Sequence, residues 1–532
     1  MVPGAMFASA APLLWCFLVV VGSLVGLRLL WAASQLLDRL WWQPRRLERV
    51  LRAQGLRGTS YRFLTGDLKD MAKLNQEAWS RPLPLRCHDI APRVIPFLYK
   101  NMQEHVKTSI YWFGSIPKVT IVDPDLVKEV MSNKFGHFEK PMFPVLFKLL
   151  TDGVASKEGE TWAKHRRILN PGFHLEKLKN WSADGFTVCC EELVSRWVES
   201  TGCDGSCELD IWPELKNLTG DVISRTAFGS SYLEGRRIFE LQGEQAERFM
   251  KSFQKITIPG YMLLPTQNNR KMRRINKEIE TILRDLIGKR IQAMKKGDES
   301  TKDDLLGLLQ ESNMRVTDGS SKSSMAMTIE DIIGECKLFY FAGMETTSVL
   351  VTWTMVVLSM HPELQDRARE EVLGLFGKNK PELEGLGGLK IVAMTLYEVL
   401  RLYPPAVQYS RKTYKEMELG GIVYPPGVIF EMSVLMIHHD PDIWGSDVHE
   451  FKPNRFSEGI SKASNGPGAF LPFGWGPRIS IGQNFALLEA KIALCMILQR
   501  FELELAPSYT HAPYTLFTMQ PMHGAQVKLR VI

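Results

Sequence analysis

The sequence predicts a mainly α-helical fold with a small β subdomain, preceded by one N-terminal transmembrane helix. Three observations predict it: an uncharged apolar run near the start, a long apolar segment of helical period past the middle, and only two short stretches of strand character.

The apolar run comes first. From Ala5 to Leu27, "AMFASAAPLLWCFLVVVGSLVGL" carries no charged side chain. At the rise of an α-helix it is about 34 Å long, enough to span a bilayer. A cleaved signal peptide has a basic start and a shorter apolar core, and this segment has neither. Arg28, Arg39, Arg45, Arg46, Arg49 and Arg52 follow it, against Asp38 and Glu48. The positive-inside rule then puts everything downstream on the cytosolic side. Residues 1–30 read as the anchor, 31–60 as a basic, Pro/Gly-punctuated linker on the membrane face, and 61–532 as one body. On this topology the sequons at Asn180 and Asn217 carry no sugar.

Composition narrows the function classes. A net charge of +6 over 532 residues is too thin for a nucleic-acid binder. It suits a membrane surface or an acidic protein partner. The eight cysteines are too sparse for a disulfide scaffold. Cys203 and Cys207 have no second Cys/His pair at zinc spacing and read as free thiols in a Gly/Ser turn.

Strand character is confined to "YWFGSIPKVTIVD" near residue 115 and "MELGGIVYPPGVIFEMS" near 425. Residues 294–327 are rich in Ser, Lys and Asp and read as a surface connection with a short helix inside it.

The long apolar segment begins there. Thr328 and Asp331 make a capping box, and His361-Pro362 ends the run, predicting a helix of about 33 residues. It is apolar nearly all round and should thread the core. Its middle breaks that rule with Ala342, Gly343, Glu345, Thr346 and Thr347. Two readings fit these residues. They handle protons beside a flat ligand, or they let another helix approach closely.

In "LYEVLRLYPP", Glu398 and Arg401 share a helix face and Pro404-Pro405 stop the helix. Their apolar surroundings predict a buried pair joined to Arg455 of "FKPNRF". Further on, "FLPFGWGPRISIGQNFALLEAKIAL" sets Phe473, Gly476, Arg478 and Gly482 around Ser480, just before a helix. The two glycines allow close backbone approach, Arg478 offers a fork for carboxylates, and amides converge near residue 480. A hydrolase elbow would need G-x-S-x-G, and residue 478 is Arg. A dinucleotide loop fails as well, because residue 479 is Ile. His438-His439-Asp440 reads as a surface group beside a Trp-Gly turn rather than as a metal cluster.

Taken together, A-G-x-E-T-T, E-x-x-R, the FKPNRF element and F-x-x-G-x-R-x-S-x-G resemble the cytochrome P-450 superfamily of haem-thiolate monooxygenases, from about residue 90 onward. "NPGFHLEKLK" and the C-terminal segment are similar to the plant clan that includes secologanin synthase. The resemblance implies the cytochrome P-450 fold and haem b. It makes Trp162, Arg166, Arg411 and Arg478 the propionate-binding groups, with Ala342, Gly343, Phe473, Gly476 and Gly482 also beside the cofactor. Glu345 and Thr346 match the acid–alcohol pair that supplies protons, and Glu398, Arg401 and Arg455 a structural triad.

The departure is Ser480. It stands where the family has the cysteine whose thiolate binds the iron, and the nearest cysteine, Cys495, lies four turns down the next helix. A neutral hydroxyl is a poor donor to ferric haem, so monooxygenation should be weakened or lost while haem still binds. The resemblance further implies an endoplasmic reticulum membrane protein, electrons from NADPH through an NADPH–cytochrome reductase, and an apolar substrate such as a terpenoid, a hormone or a xenobiotic. The alternatives are a haem-binding membrane protein without this activity, or serine ligation serving another haem reaction. Segments around 100–115, 140–150 and 250–265 are expected to line the substrate pocket.

Overall fold

The computed structural model of the chain describes residues 10–105, 107–132, 138–141, 145–181, 185–229, 232–252, 260–261, 263–296, 304–317, 327–466 and 468–532. The first helix, Ala10–Leu37, runs through a wider turn, Asp38–Trp42, into a second helix, Gln43–Ala53. Its apolar side chains from Leu14 to Leu37 are largely exposed, and by length and composition it can cross a membrane. The stretch read as the basic linker, residues 31–60, is mostly helical. Pro44 lies in the first turn, where a missing N–H breaks no helical bond. The segment is also docked on the body: Leu51 is fully buried, and Arg52 Nη2 donates to the carbonyls of Gly58 and Thr59, both at 3.0 Å.

Among the described residues one other helix is long and apolar enough to span a bilayer, Ile329–Met360, but it is mostly buried within the protein. Thr328 and Asp331 close its N-terminus reciprocally through side chain and backbone, and His361 ends it. It packs against Ile211–Phe228 and Gln483–Leu498. A Cβ on Gly343 would fall 2.8 Å from Ile223 Cγ1, so the glycine permits this crossing. Thr219 Oγ1 donates to the Met344 carbonyl at 2.8 Å across the same seam.

The main sheet has the strand order Arg57–Gly58, Thr108–Phe113, Ile116–Ile121, Ile429–Met432, Tyr409–Thr413, Phe138–Glu139. It takes up the first stretch of expected strand character and the end of the second, whose earlier part, Met417–Leu419 and Ile422–Tyr424, pairs as a separate two-stranded sheet. A second sheet, Phe501–Leu505, Gln526–Val531 and Ser206–Asp210, joins the C-terminus to the middle of the chain. Cys207 lies on this last strand rather than in a turn, and it is a free thiol. Of the polar connection 294–327, the helix Leu305–Thr317 is described, while 297–303 and 318–326 lie outside the described residues.

Candidate functional site

The helix Gln483–Leu498 begins at Gly482, and the chain before it folds back on itself. The Ser480 amide donates to the Phe473 carbonyl at 2.9 Å, and the Tyr409 hydroxyl lies 3.2 Å from the Leu471 carbonyl and 3.1 Å from that of Pro472. Gly476 has φ +69°, and a Cβ there would stand 2.5 Å from the Met131 carbonyl oxygen. This loop closes one side of a cavity of about 310 Å³.

Phe473, Arg478, Ser480 and Gly482 line that cavity, as do Trp162, Arg166, Ala342, Gly343, Thr346 and Arg411. Gly476 is not among the residues lining the cavity; it lies against the Met131 backbone, and its bare backbone seats the loop there. The hydroxyl of Ser480, a lining residue, has no hydrogen-bond partner among the described residues. Val154, Phe173, Leu338, Leu350 and Phe485 supply apolar walls.

Cations gather at one rim. The Arg478 guanidinium lies over Trp162 at 4.3 Å from the ring centroid and donates to the Lys157 carbonyl at 2.9 Å and to the Glu158 carboxylate. Burial lowers Arg478 to about 10. Arg166 Nη1 donates to the Ile479 carbonyl at 2.9 Å, and burial lowers this group and Arg411 as well. Lys140, which no sequence motif marked, also lines the cavity. Desolvation, then the charges of Arg411 and Arg478, push it down to about 7. Four desolvated cations with the Glu158 carboxylate beside them form a donor set suited to a ligand carrying carboxylates.

The long helix forms the facing wall. Thr346 Oγ1 donates to the Ala342 carbonyl one turn back, at 2.8 Å. Glu345, its neighbour, is turned away from this cavity. Its carboxylate sits 3.0 Å from Lys216 Nζ and accepts from Thr518 Oγ1 at 2.8 Å and from Gln520. Lys216, Glu345 and Gln520 edge a second cavity of about 1050 Å³ with Trp79, Met250, Phe341 and Tyr514. Of the expected pocket segments, residues 108–113 form a strand of the main sheet. Lys140 lines the first cavity and Met250 and Lys251 the second, while residues 106, 142–144, 253–259 and 262 lie outside the described residues.

Beneath the loop, Arg401 Nη2 and Nε donate to the two carboxylate oxygens of Glu398 at 2.7 and 2.9 Å, with both side chains fully buried. Arg401 also donates to the carbonyls of His438 and Glu450, and Arg455 Nε stands at ion-pair distance from Glu398, 3.5 Å. His438 and His439 are buried, contrary to the surface reading. The Leu471 amide donates to His438 Nε2 at 2.9 Å, so Nδ1 carries the proton toward the Arg401 carbonyl. Burial explains why both rings are held neutral, His438 at about 3.

Residues 92–528 match the family described as Cytochrome P-450. The chain belongs to the cytochrome P-450 family. It is 56% identical over 499 residues to cytochrome P-450 CYP72A616 of Paris polyphylla, covering 94% of this chain and 96% of that protein. Cytochrome P-450 72A15 of Arabidopsis thaliana is 50% identical, covering 93% and 96%. The chain is thus a P-450 of the 72A type, the type of named P-450 monooxygenases. The retinoic acid-bound cyanobacterial CYP120A1 structure shares the fold, with a TM-score of 0.71 over 82% of this chain and 94% of that one, at 22% identity. Membership implies haem. The apolar cavity between the P-450 loop and the long helix, with its rim of desolvated cations, fits a flat dianionic group of that kind.

Proposed function

We propose that this P-450 is a membrane-anchored haem protein of the endoplasmic reticulum, its body cytosolic, built for inserting one oxygen atom from O₂ into an apolar small molecule but impaired at Ser480. NADPH, through an NADPH–cytochrome reductase, would supply the two electrons; the second oxygen atom leaves as water. A terpenoid, a hormone or a xenobiotic is the substrate class. The observation that carries this reading is the meeting of Trp162, Arg166, Arg411, Arg478, Ala342, Thr346 and Ser480 in one cavity.

When bound, haem supplies the redox-active iron that activates O₂. Arg166, Arg411, Arg478 and Lys140 would hold its two carboxylates, and Trp162 supports Arg478 from behind through its ring face. Phe473, Phe485 and Leu350, which line the same cavity, would exclude water from around it. Thr346 holds a hydroxyl at the oxygen-activating side, its proton resting on the Ala342 carbonyl. A proton passing from Glu345 to Thr346 needs either rotation of the Glu345 side chain or an intervening water.

Ser480 would stand where the family's cysteine supplies the donor to the iron. A thiol begins near a pKa of about 8.5 and is readily ionised beside amides. An aliphatic hydroxyl starts far higher and stays neutral there, so it lacks the electron release that favours O–O cleavage. The second reading, a haem binder without monooxygenase activity, is favoured by this one residue.

The test compares the native chain with Ser480→Cys after reconstitution with reductase. The native protein should carry full haem and lack the long-wavelength Soret band that thiolate ligation gives in the reduced carbon monoxide complex. Ser480→Cys should gain that band and turn over apolar substrates that bind. A thiolate-type band in the native protein would overturn the account of Ser480. Absence of turnover in Ser480→Cys with a bound substrate would favour the second reading.

A further inference from the structure

His439 caps the short helix Val434–His438 and is only 6% exposed. Its Nε2 lies 3.0 Å from the Leu402 carbonyl oxygen. A carbonyl only accepts, so Nε2 carries the proton and Nδ1 keeps a lone pair. That Nδ1 is buried and has no hydrogen-bond partner. Half-buried His449 also has a buried Nδ1 without a hydrogen-bond partner, and it stands 3.9 Å from Asp89 Oδ1. The ligand atoms of Asp89, His439 and His449 all lie within 4.8 Å of one another.

Two unsatisfied ring nitrogens and a carboxylate thus converge from three separate segments, an arrangement that is costly unless something bridges them. The mix of imidazole and carboxylate suits zinc and its neighbours, and the Nε2–H bond to a backbone carbonyl is the outer contact that metal-binding histidines make. Burial, followed by the Arg401 charge, keeps His439 neutral. Arg401 is itself paired with Glu398, and Lys107 is engaged with Asp440 and Asp442.

We propose that Asp89, His439 and His449 form a binding site for a divalent cation of the zinc class, held by one carboxylate and two imidazole Nδ1 atoms with water completing the shell. Tetrahedral zinc spaces its ligands about 3.4 Å apart, so the site must contract. His449 and Asp89, each with a 40% exposed side chain, have room to rotate inward. The consequence is structural. His438 and Glu450, whose carbonyls accept from Arg401, are the immediate neighbours of His439 and His449. A cation here ties both strands of that lattice to the segment around Asp89. The inference stands apart from the haem reading.

The experiment uses full-length, detergent-solubilised protein without a polyhistidine tag, stripped with a chelator and titrated with zinc against a chromophoric competitor. One equivalent should bind, and zinc should raise the thermal midpoint. His449→Ala and Asp89→Asn should each weaken binding about tenfold or more while keeping the zinc-free midpoint. His439→Ala empties a buried space and so confuses folding with binding; His449→Ala is the deciding variant. Binding below one equivalent, or equal affinity in His449→Ala, overturns the proposal.

Discussion

Glu345 and Thr346 are consecutive residues of the long helix that open into different cavities. Thr346 lines the cavity with the cationic rim, and the Glu345 carboxylate sits 3.0 Å from Lys216 Nζ in the larger one alongside. One helical residue turns the side chain by about 100°, which is enough to carry it past the wall. Under the proposed function the acid would pass protons from the larger cavity toward Thr346. In a Ser480→Cys background, Glu345→Gln should lower turnover about a hundredfold at unchanged haem content. Lys216→Met should give a smaller loss, since Thr518 and Gln520 still hold the carboxylate. Equal turnover of Glu345→Gln and its parent would show that protons arrive by another route.

The Glu398–Arg401 pair makes a stability prediction. Both side chains are fully buried, and Arg401 reaches two backbone carbonyls beyond its partner. Removing one charge strands the other in the interior, at a cost of about 3–5 kcal/mol. Arg401→Met should therefore yield little folded protein. Arg401→Lys should also fail largely, because a point charge cannot serve the carboxylate and both carbonyls at once. Soluble yield and thermal midpoint report the outcome; a native-like Arg401→Lys midpoint would contradict the bidentate argument.

Much of this architecture was legible because its signals are local. Thr328 and Asp331 sit three residues apart, and so do Glu398 and Arg401; the periodicity that buries them is written in the same few turns. Trp162 and Arg166 share one helix face, but Arg411 and Arg478 are remote from them and from each other, and nothing in that spacing shows that they meet; the combination of motifs made that expectation. Where partners are remote and carry no pattern, the sequence was silent. Lys140 joins the cationic rim from a segment without a motif. The orientation of Glu345 is set by Lys216 on one helix and by Thr518 and Gln520 near the C-terminus. The surface reading of His438 and His439 fails because adjacent polar rings suggest solvent, whereas the Arg401 carbonyl and the Leu471 amide hold both nitrogens of His438 inside and the Leu402 carbonyl holds Nε2 of His439. Gly476 was assigned to the cofactor, yet its constraint comes from Met131.

Two glycines should respond differently to the same substitution. At Gly476 a Cβ meets the Met131 backbone at 2.5 Å, and φ is +69°, so neither neighbour nor torsion can relax cheaply. Gly476→Ala should cost about 1–3 kcal/mol and reduce haem retention. At Gly343 the Cβ meets the Ile223 side chain at 2.8 Å, with helical torsions intact. Gly343→Ala should be milder, and Ile223→Val should restore part of the loss by vacating space. Thermal midpoints of the three variants decide this. Failure of Ile223→Val to help would place the strain elsewhere.

Lys140 gives haem binding a pH dependence whose sign follows from its surroundings. Desolvation and the neighbouring Arg411 and Arg478 charges hold it at about 7 in the cavity without ligand. Carboxylates seated at that rim would favour the charged ammonium and raise its pKa. A group whose pKa rises on binding takes up a proton as the ligand enters. Haem affinity should then be greatest below pH 7 and decline as pH climbs through 7 toward the higher bound-state value. Transfer of haem to an excess acceptor, timed on either side of pH 7, measures this. The native protein should release haem faster at the alkaline side, and Lys140→Met should flatten the profile while weakening retention at the acid side. A flat native profile would mean that the ammonium does not face the carboxylates, leaving the three arginines to hold them alone.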